Sequence, residues 1–365
     1  MKYVFILGKN PELSTAEIVA VLPQVKIITQ KPEYLVIDGP KIDGSETINR
    51  LGGTIKIGIF LSQCPDIGPV LGVADSLVGQ RFIFGFSFYG QRTSNWGLAI
   101  KKILKEKGIS SRLVTSSEPA LSSVIVTKEK CHDFLISPDF FAQTIAVQDF
   151  ADYSHRDFDR PSSDAVSGML PPKAAKMMIN LSGAKADQII LDPFCGSGTI
   201  LSEAIVLGFN NLVGCDLSPK AVIDTKDNLD WLRQEISSLR ADAQIFIGDA
   251  SRISEKIKIN SIDAIVTEPY LGPPIKGNES SEKIATIIAE LGQLYLASII
   301  EFKKVLVKGG RLVMVFPQWH LHNQVFSLGL LSRLTKLGFK RLDRGNLFYK
   351  RPEQKVWRQI IILEK

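Results

Sequence analysis

Apolar positions along this chain follow two rhythms. Before residue 150 the runs are short and alternating. Lys2–Leu7, Tyr34–Ile37 and Thr54–Leu61 read as strands. Ser14–Leu22 reads as a helix, with Ser14 at the N-cap and Glu17 three residues on in a capping-box pattern. Phe82–Phe88 is an aromatic-rich strand, and its alternation favours a core stripe over a platform for stacking RNA bases. Asn95–Lys107 is a helix ended by Gly108, and Arg112–Val114, Ser123–Thr127 and Phe134–Ser137 are short strands. No helix in this half resembles the crossover of a parallel nucleotide-binding sheet. Residues 151–167 are polar, running Asp152-Tyr153-Ser154-His155-Arg156-Asp157 and then Arg160-Pro161-Ser162-Ser163-Asp164, and read as a linker.

From 168 onward strands and helices alternate. Strands are expected at Gln188–Leu191, Asn211–Cys215, Gln244–Ile247, Ala264–Thr267 and Arg311–Phe316. Helices are expected at Ala174–Leu181, Ser218–Gln234 and Glu282–Val307, the last stopped by Gly309-Gly310. That alternation implies a doubly wound α/β sheet. Gly338–Arg341 and Arg358–Leu363, on either side of a turn region at Tyr349–Lys355, suggest a closing hairpin.

At 365 residues the chain exceeds one ordinary domain, and 45% hydrophobic with 22% charged residues suits a folded globular protein. The apolar run at Met1–Gly8 is too short for a signal-peptide core, and no stretch reads as a membrane span, so a cytoplasmic protein with no membrane partner is expected. The four cysteines (64, 131, 195, 215) form no Cys-x-x-Cys pair, which argues against a zinc ribbon or redox motif. His320 and His322 lack further ligands nearby, and no metal is expected.

The net charge of +6 is unevenly spread. Residues 333–365 hold ten Lys/Arg against three Asp/Glu, and Lys101, Lys102, Lys105, Lys107 and Arg112 form a second basic cluster. Either patch suits a phosphate backbone, and either is equally well a solvated helix face.

The candidate chemistry lies in the second half. Asp192-Pro193-Phe194-Cys195-Gly196-Ser197-Gly198-Thr199 follows an apolar strand and opens a helix, a turn that lets backbone approach a ligand. Asp192 at the strand end repels a pyrophosphate but suits a cation bearing an amino-acid group, such as S-adenosylmethionine (SAM). Asp216 ends the next strand, where a carboxylate reaches ribose hydroxyls, and Asp249 ends the third, within reach of an adenine amino group. Three acids at successive strand ends mark a nucleoside site and leave NAD open as a ligand.

The fourth strand ends in Thr267-Glu268-Pro269-Tyr270, and here the chain resembles the amino-group methyltransferases. Further segments are similar to one branch, the THUMP-domain tRNA guanine-N2-methyltransferases. They are Tyr3–Ser14, Arg160-Pro161, Gly168-Met169-Leu170-Pro171-Pro172-Lys173, the Asp192–Thr199 turn and Tyr349-Lys350-Arg351-Pro352. The resemblance spans nearly the whole chain and is densest over 160–204. It implies an α/β fold: a Rossmann-like SAM methyltransferase domain (168–365) behind α+β ferredoxin-like (1–60) and THUMP RNA-binding (61–150) domains and a linker (151–167). It also implies a tRNA partner, methylation of guanosine 10, and a segment around Pro171 that closes over SAM. Expected cofactor contacts are Pro171, Asp192, Phe194, Gly196, Ser197, Gly198, Thr199, Asp216, Leu217, Asp249 and Ala250. Expected RNA contacts are Lys101, Lys102, Lys105 and Arg351. Some related enzymes use a small activating subunit, of which the sequence gives no sign. Against the pattern Thr-Asp-Pro-Pro-Tyr-Gly this chain reads Thr267-Glu268-Pro269-Tyr270-Leu271-Gly272: Asp becomes Glu, one proline is lost, and the aromatic comes one place early.

A guanine N2 lone pair is delocalised into the ring, so acceptors on its N–H bonds help to free and aim it. Glu268 is expected as one acceptor and the Pro269 carbonyl as the other. Tyr270 either stacks on an extruded base or is a core aromatic at a strand end. The competing readings are methylation of guanine N2 in ribosomal RNA or adenine N6 in DNA, an RNA-binding protein with SAM affinity but no turnover, and an NAD(P)-dependent oxidoreductase.

Overall fold

A computed structural model of the chain describes residues 1–77, 79–90, 96–162, 169–236, 241–321, 324–351 and 353–365. Asn95, Ser163, Asp164, Gly168, His322 and Pro352, named above, lie outside the described residues. The chain divides into two compact units, Met1–Pro11 with Leu22–Asp152, and Glu12–Val21 with Tyr153–Lys365.

In chain order the first stretch gives β1 (Lys2–Leu7), α1 (Pro11–Val21), β2 (Lys26–Gln30), β3 (Tyr34–Asp38), α2 (Gly44–Arg50) and β4 (Thr54–Ser62). Then come α3 (Ile67–Ser76), β5 (Phe82–Phe88), α4 (Trp96–Glu106), β6 (Ser111–Val114), α5 (Ser123–Lys128), β7 (His132–Ser137) and β8 (Phe140–Val147). All eight strands form one sheet in the order β2-β3-β1-β4-β8-β7-β5-β6. The boundary expected near residue 60 falls inside β4, which pairs with β1 on one side and β8 on the other. Phe82, Phe84 and Phe86 are buried in this unit's core with Phe134 and Phe141, as the alternation implied.

Three local expectations for this half fail. The run Ser123–Thr127 is helical: Ser122 caps it by accepting from the Ile125 N–H, and the cap with burial of Val126 outweighs the strand preference of β-branched residues. Crossover helices are present, because β5 is parallel to both β6 and β7 and α4 and α5 make the returns. Helix α1 starts at Pro11, a favoured first-turn proline, so Ser14 sits within the helix and no capping box forms. Leu13 and Ala16 join the core of the second unit, and the buried Glu17 accepts from Asn180 Nδ2 at 2.7 Å.

The second unit continues with α6 (Phe150–Phe158), α7 (Pro172–Ser182), β9 (Ile189–Asp192), α8 (Thr199–Val206), β10 (Asn211–Asp216), α9 (Pro219–Glu235), β11 (Asp242–Ile247) and β12 (Ile262–Thr267). It closes with α10 (Ser281–Val305), β13 (Leu306–Leu321), β14 (Gln324–Ser327), α11 (Leu331–Lys336), β15 (Lys340–Arg341), β16 (Phe348–Tyr349) and β17 (Val356–Glu364). Much of the expected polar linker is therefore helix α6, whose start is fixed by Asp149 accepting the N–H groups of Ala151 and Asp152.

The sheet runs β11-β10-β9-β12-β13-β17-β15, with β14 on β13 and β16 on β17. Strands β9 to β13 are mutually parallel and β17 is antiparallel to β13. Alternate residues feed opposite faces, as strand geometry requires. Ile190, Val266, Val313 and Ile362 face one core with α7 and α8, while Leu191, Ile265, Met314 and Ile361 face the other with α10. Helix α10 is long and apolar enough to cross a membrane by length and composition, yet Ile284, Ile287, Leu291, Tyr295 and Phe302 pack it into the core.

Two boundaries move. Helix α10 ends at Val305, and Gly309-Gly310 lie in β13, where Gly309 takes φ +77° and the register jumps from Ile262↔Leu306 to Ala264↔Arg311. Lys340–Arg341 does pair with β17, but β17 lies chiefly along β13, from Arg311↔Glu364 to Trp319↔Val356, so the end is a strand insertion rather than a simple hairpin.

Candidate active site

The carboxyl ends of β9, β10, β11 and β12 form one edge, the place where open α/β sheets bind ligands. The turn after β9 is built to bring backbone forward. Gly196 and Gly198 take φ +52° and +82°. A Cβ on Gly198 would sit 2.9 Å from Thr225 Cγ2, whereas one on Gly196 would meet nothing within 4 Å, so open space lies over that position. Helix α9 pins the turn: Thr225 Oγ1 donates to the Gly196 carbonyl at 2.7 Å and Asn228 Nδ2 to the Ser197 carbonyl at 2.8 Å. Arg160 Nη1 donates to Thr199 Oγ1 at 2.7 Å, which ties the segment before α7 to the first turn of α8. Arg160, Pro172 and Thr199 line one small cavity, so α7 begins beside that turn, and Pro171 is its N-terminal flanking residue.

The three strand-end acids stand where expected, each in a different state. Asp192 is buried, accepts from Thr267 Oγ1 at 2.7 Å and from the Phe194 N–H at 3.2 Å, and burial pushes its carboxyl up to about 7. Asp216 accepts the Gly196 N–H on one oxygen (3.0 Å) and the Ser218 N–H on the other (2.9 Å), and so braces the Gly-rich turn. Each oxygen keeps further lone-pair capacity. Asp249 caps the short 3-10 helix that follows β11; both its bonds, from Ser251 N and Oγ, fall on Oδ1. Leu217 is 71% exposed beside Asp216, Ala250 is buried beside Asp249, and Phe194 is half-buried with its ring edge-on to Phe302 at 6.4 Å. Cys195 and Cys215 are buried and free, and burial pushes both thiols up, to about 12 for Cys215, so neither is a nucleophile.

At the end of β12, Pro269 is buried and Tyr270 is 56% exposed, so Tyr270 is no core aromatic. Its carbonyl accepts from Tyr295 Oη at 3.2 Å. Glu268 is no surface acid either. Its carboxylate meets Arg358 of β17, with Nε to Oε1 at 2.5 Å and Nη2 to Oε2 at 3.5 Å. Burial pushes the Glu268 carboxyl above its ordinary value, and the guanidinium works against that.

Arg358, Thr267 and Tyr295 had no role in the sequence reading. Arg358 was the most detectable of them: a charged residue in the mostly apolar strand Val356–Leu363 needs a partner if it is buried. Lys101, Lys102 and Lys105 lie in the other unit, exposed on α4 and away from its buried Ile100 and Leu104. Arg112 of the same basic cluster is paired with Glu129 at 2.8 Å. Arg351 is exposed next to Lys350, whose ammonium lies 4.0 Å from the Trp357 ring centroid. His320 stacks on the same Trp357 ring with centroids 3.6 Å apart, and the described residues hold no group of three metal-ligating side chains.

Comparison with known proteins points one way. The family model for the RMKL-like methyltransferase domain (UPF0020) matches residues 162–337. The tRNA (guanine(10)-N2)-dimethyltransferase of Pyrococcus abyssi is 27% identical over 369 residues, covering 100% of this chain and 99% of that one. A Methanothermococcus thermolithotrophicus protein named as a probable tRNA (guanine(10)-N2)-dimethyltransferase is 32% identical over 132 residues, covering 34% of this chain and 79% of that one. Among solved structures, TrmN from Thermus thermophilus aligns over 100% of both chains with a TM-score of 0.53 at 17% identity, a likeness of fold.

Proposed function

We propose, since the chain belongs to the tRNA (guanine(10)-N2)-dimethyltransferase family, that it methylates the exocyclic N2 of a guanosine in tRNA, guanosine 10, with SAM as methyl donor. The observation that carries this reading is the single strand-end edge on which a buried Asp192–Thr267 pair adjoins Glu268, Pro269 and an exposed Tyr270.

The residues at the edge fit SAM. Open space over Gly196 admits a ligand against backbone, Leu217 offers an apolar face for an adenine, and the strand-end acids suit a cation. When bound, SAM supplies the methyl group as a sulfonium electrophile. Asp192 faces the cationic amino-acid end, Asp216 takes the ribose hydroxyls with its remaining lone pairs, and Asp249 accepts from the adenine amino group. The segment at Pro171 covers the ligand, and Phe194, Ser197, Gly198, Thr199 and Ala250 shape its walls.

On the acceptor side the Glu268 carboxylate and the Pro269 carbonyl take the two N–H bonds of the guanine amino group, and Tyr270 stacks on the extruded base. As the nitrogen–methyl bond forms the methyl–sulfur bond breaks, leaving a neutral thioether, and the nitrogen, cationic for the moment, would lose a proton readily to the Glu268 carboxylate or to water, so no strong separate base is needed. The first unit carries the ferredoxin-like and THUMP parts, with Lys101, Lys102 and Lys105 on RNA phosphates, and Arg351 adds a contact from the second unit. The substrate places the protein in the cytoplasm.

The test is transfer from methyl-labelled SAM to unmodified tRNA transcript, followed by nucleoside mass spectrometry and fragment mapping. Labelled N2-methylguanosine or its dimethyl form at position 10 is expected, and Glu268→Gln should lower kcat by about a hundredfold. SAM binding with no label in tRNA would leave a binding protein instead. Label in ribosomal RNA or DNA alone would redirect the substrate.

A further inference from the structure

We propose that Arg358 is a positioning residue for the acceptor side of this site: it holds the Glu268 side chain as a carboxylate with one oxygen left to accept from the amino group being methylated. The inference rests on the reading of Glu268 as an acceptor and adds what keeps it one.

The geometry comes from the sheet order. Thr267, the last residue of β12, pairs with Met314 of β13, and Pro317, three residues beyond Met314, pairs with Arg358 of β17. Arg358 therefore lies past the end of β12, two residues beyond the level of Glu268, and its long side chain spans β13 and reaches back to it. Glu268 has one methylene more than the Asp of the family pattern, which lengthens its reach toward a strand two places away. The grip is uneven. Nε lies 2.5 Å from Oε1, while Nη2 lies 3.5 Å from Oε2. A carboxylate offers about four lone-pair sites, so Oε2 retains accepting capacity.

A buried ion pair is weak evidence for stability, since well-packed apolar residues usually serve as well. Arg358 is 7% exposed and shares its strand face with Ile360 and Ile362. Another isoleucine would suit that core, and the charge makes sense through what it does to Glu268. Burial is what raises the Glu268 carboxyl, and the other titratable groups near it bring no positive charge: Asp192 on β9 is an acid, and Tyr295 on α10 is a buried phenol whose own ionisation Glu268 opposes. Arg358 opposes burial and lowers the carboxyl, whose protonation would turn one accepting oxygen into a donor.

The experiment measures kcat against pH between about 5 and 9 for the full chain at saturating SAM and tRNA. Wild type, Arg358→Gln, Arg358→Lys and Glu268→Gln are compared, and Asp192 titrates in all four. Arg358→Gln should move the acid limb up by about one pH unit or more, so that its deficit is at least about tenfold larger at low pH than at high pH. Its SAM affinity should stay unchanged. Arg358→Lys keeps the charge without the planar fork, so the limb should return while kcat stays several-fold low. A pH-independent fall in Arg358→Gln, with Glu268→Gln inactive, would make Arg358 merely structural and overturn the proposal. If Arg358→Gln fails to fold, Arg358→Lys decides, and a wild-type kcat there overturns it equally. Full activity in Glu268→Gln would instead sink the acceptor reading beneath it.

Discussion

Among the described residues each unit contains one buried ion pair that bridges two strands of its sheet, and the two pairs are built differently. In the first, Lys56 of β4 meets Asp133 of β7 at 2.5 Å with side chains 1% and 0% exposed. Lys56 also donates to Ser87 Oγ and the Leu121 carbonyl, and Asp133 accepts from Ser87 and Thr144 as well. All three ammonium protons have acceptors, and both carboxylate oxygens are bonded. Three of about four carboxylate lone-pair sites are taken and both side chains are fully buried, so the network presents nothing to a ligand. In the second, Arg358 and Glu268 are 8% and 13% exposed, the grip on one carboxylate oxygen is long, and the pair stands at a strand end beside the exposed Tyr270. A buried charge pair alone thus indicates nothing about function. Whether its hydrogen bonding is complete, and whether it opens on a ligand edge, separates a structural pair from a working one.

Breaking one partner of each pair tests that distinction. Lys56→Met leaves Asp133 buried without its cation and should cost about 3–5 kcal/mol, read as a drop in the denaturation midpoint and faster amide exchange in β7 and β8. Replacing both, as Lys56→Met with Asp133→Leu, should recover much of that loss. The matching double change of Arg358→Met with Glu268→Leu should leave stability near the wild-type value and abolish methyl transfer. If Lys56→Met alone shifts stability by less than about 0.5 kcal/mol, the closed network is not holding the first unit together and the contrast fails.

Asp192 is an intermediate case, a buried acid with hydroxyl and backbone partners but no cationic partner among the described residues. Burial raises its folded-state pKa from 3.8 to about 7. The sign follows from linkage: a raised value means that the folded chain binds the proton more tightly. The stabilisation is full below the unfolded pKa near 4 and is lost as pH rises through about 7. Asp192→Asn keeps the bonds from Thr267 and Phe194 without the charge. It should therefore stabilise the ligand-free protein by on the order of 2 kcal/mol at pH 8, with the gain shrinking below about pH 7 and vanishing toward about pH 4, while SAM binding falls tenfold or more. Melting curves over this pH range with titration calorimetry check this. A gain independent of pH would mean that Asp192 is not titrating, and unchanged SAM affinity would remove it from the ligand edge.

What the sequence disclosed follows the range of the forces involved. The turn from Asp192 to Thr199, the strand ends at Asp216 and Asp249, and the two-faced alternation of β9, β12 and β13 are local patterns, and all lie where expected. Local rules failed where packing or a better cap competed: Pro11 rather than Ser14 opens α1, and Ser122 converts a β-branched run into α5. The ion pairs were invisible as pairs. Lys56 and Asp133 are 77 positions apart and Glu268 and Arg358 are 90, and both contacts depend on strand orders that hydrophobic periodicity does not specify. Half of each signal was nevertheless present, as one charged residue in a mostly apolar strand, Lys56 in Thr54–Leu61 and Arg358 in Val356–Leu363. The altered motif at Glu268 likewise became intelligible only when β17 supplied its counter-ion.

The smallest effect belongs to charges with no buried partner. Lys101, Lys102 and Lys105 project from α4 into solvent, and removing an exposed charge changes stability by less than about 0.5 kcal/mol. Their contribution to RNA binding is separable, because each phosphate contact releases counterions and steepens the salt dependence of affinity. The triple change to alanine should leave Tm within error and lower the slope of log K against log salt by about 2–3, with a several-fold weaker Kd for tRNA at roughly 0.15 M salt. Filter binding over a salt series reads the slope directly. An unchanged slope with unchanged Kd would reduce this face of α4 to solubilising charge and shift the search for the phosphate contacts to Lys350, which lies over the Trp357 ring, and the exposed Arg351 next to it.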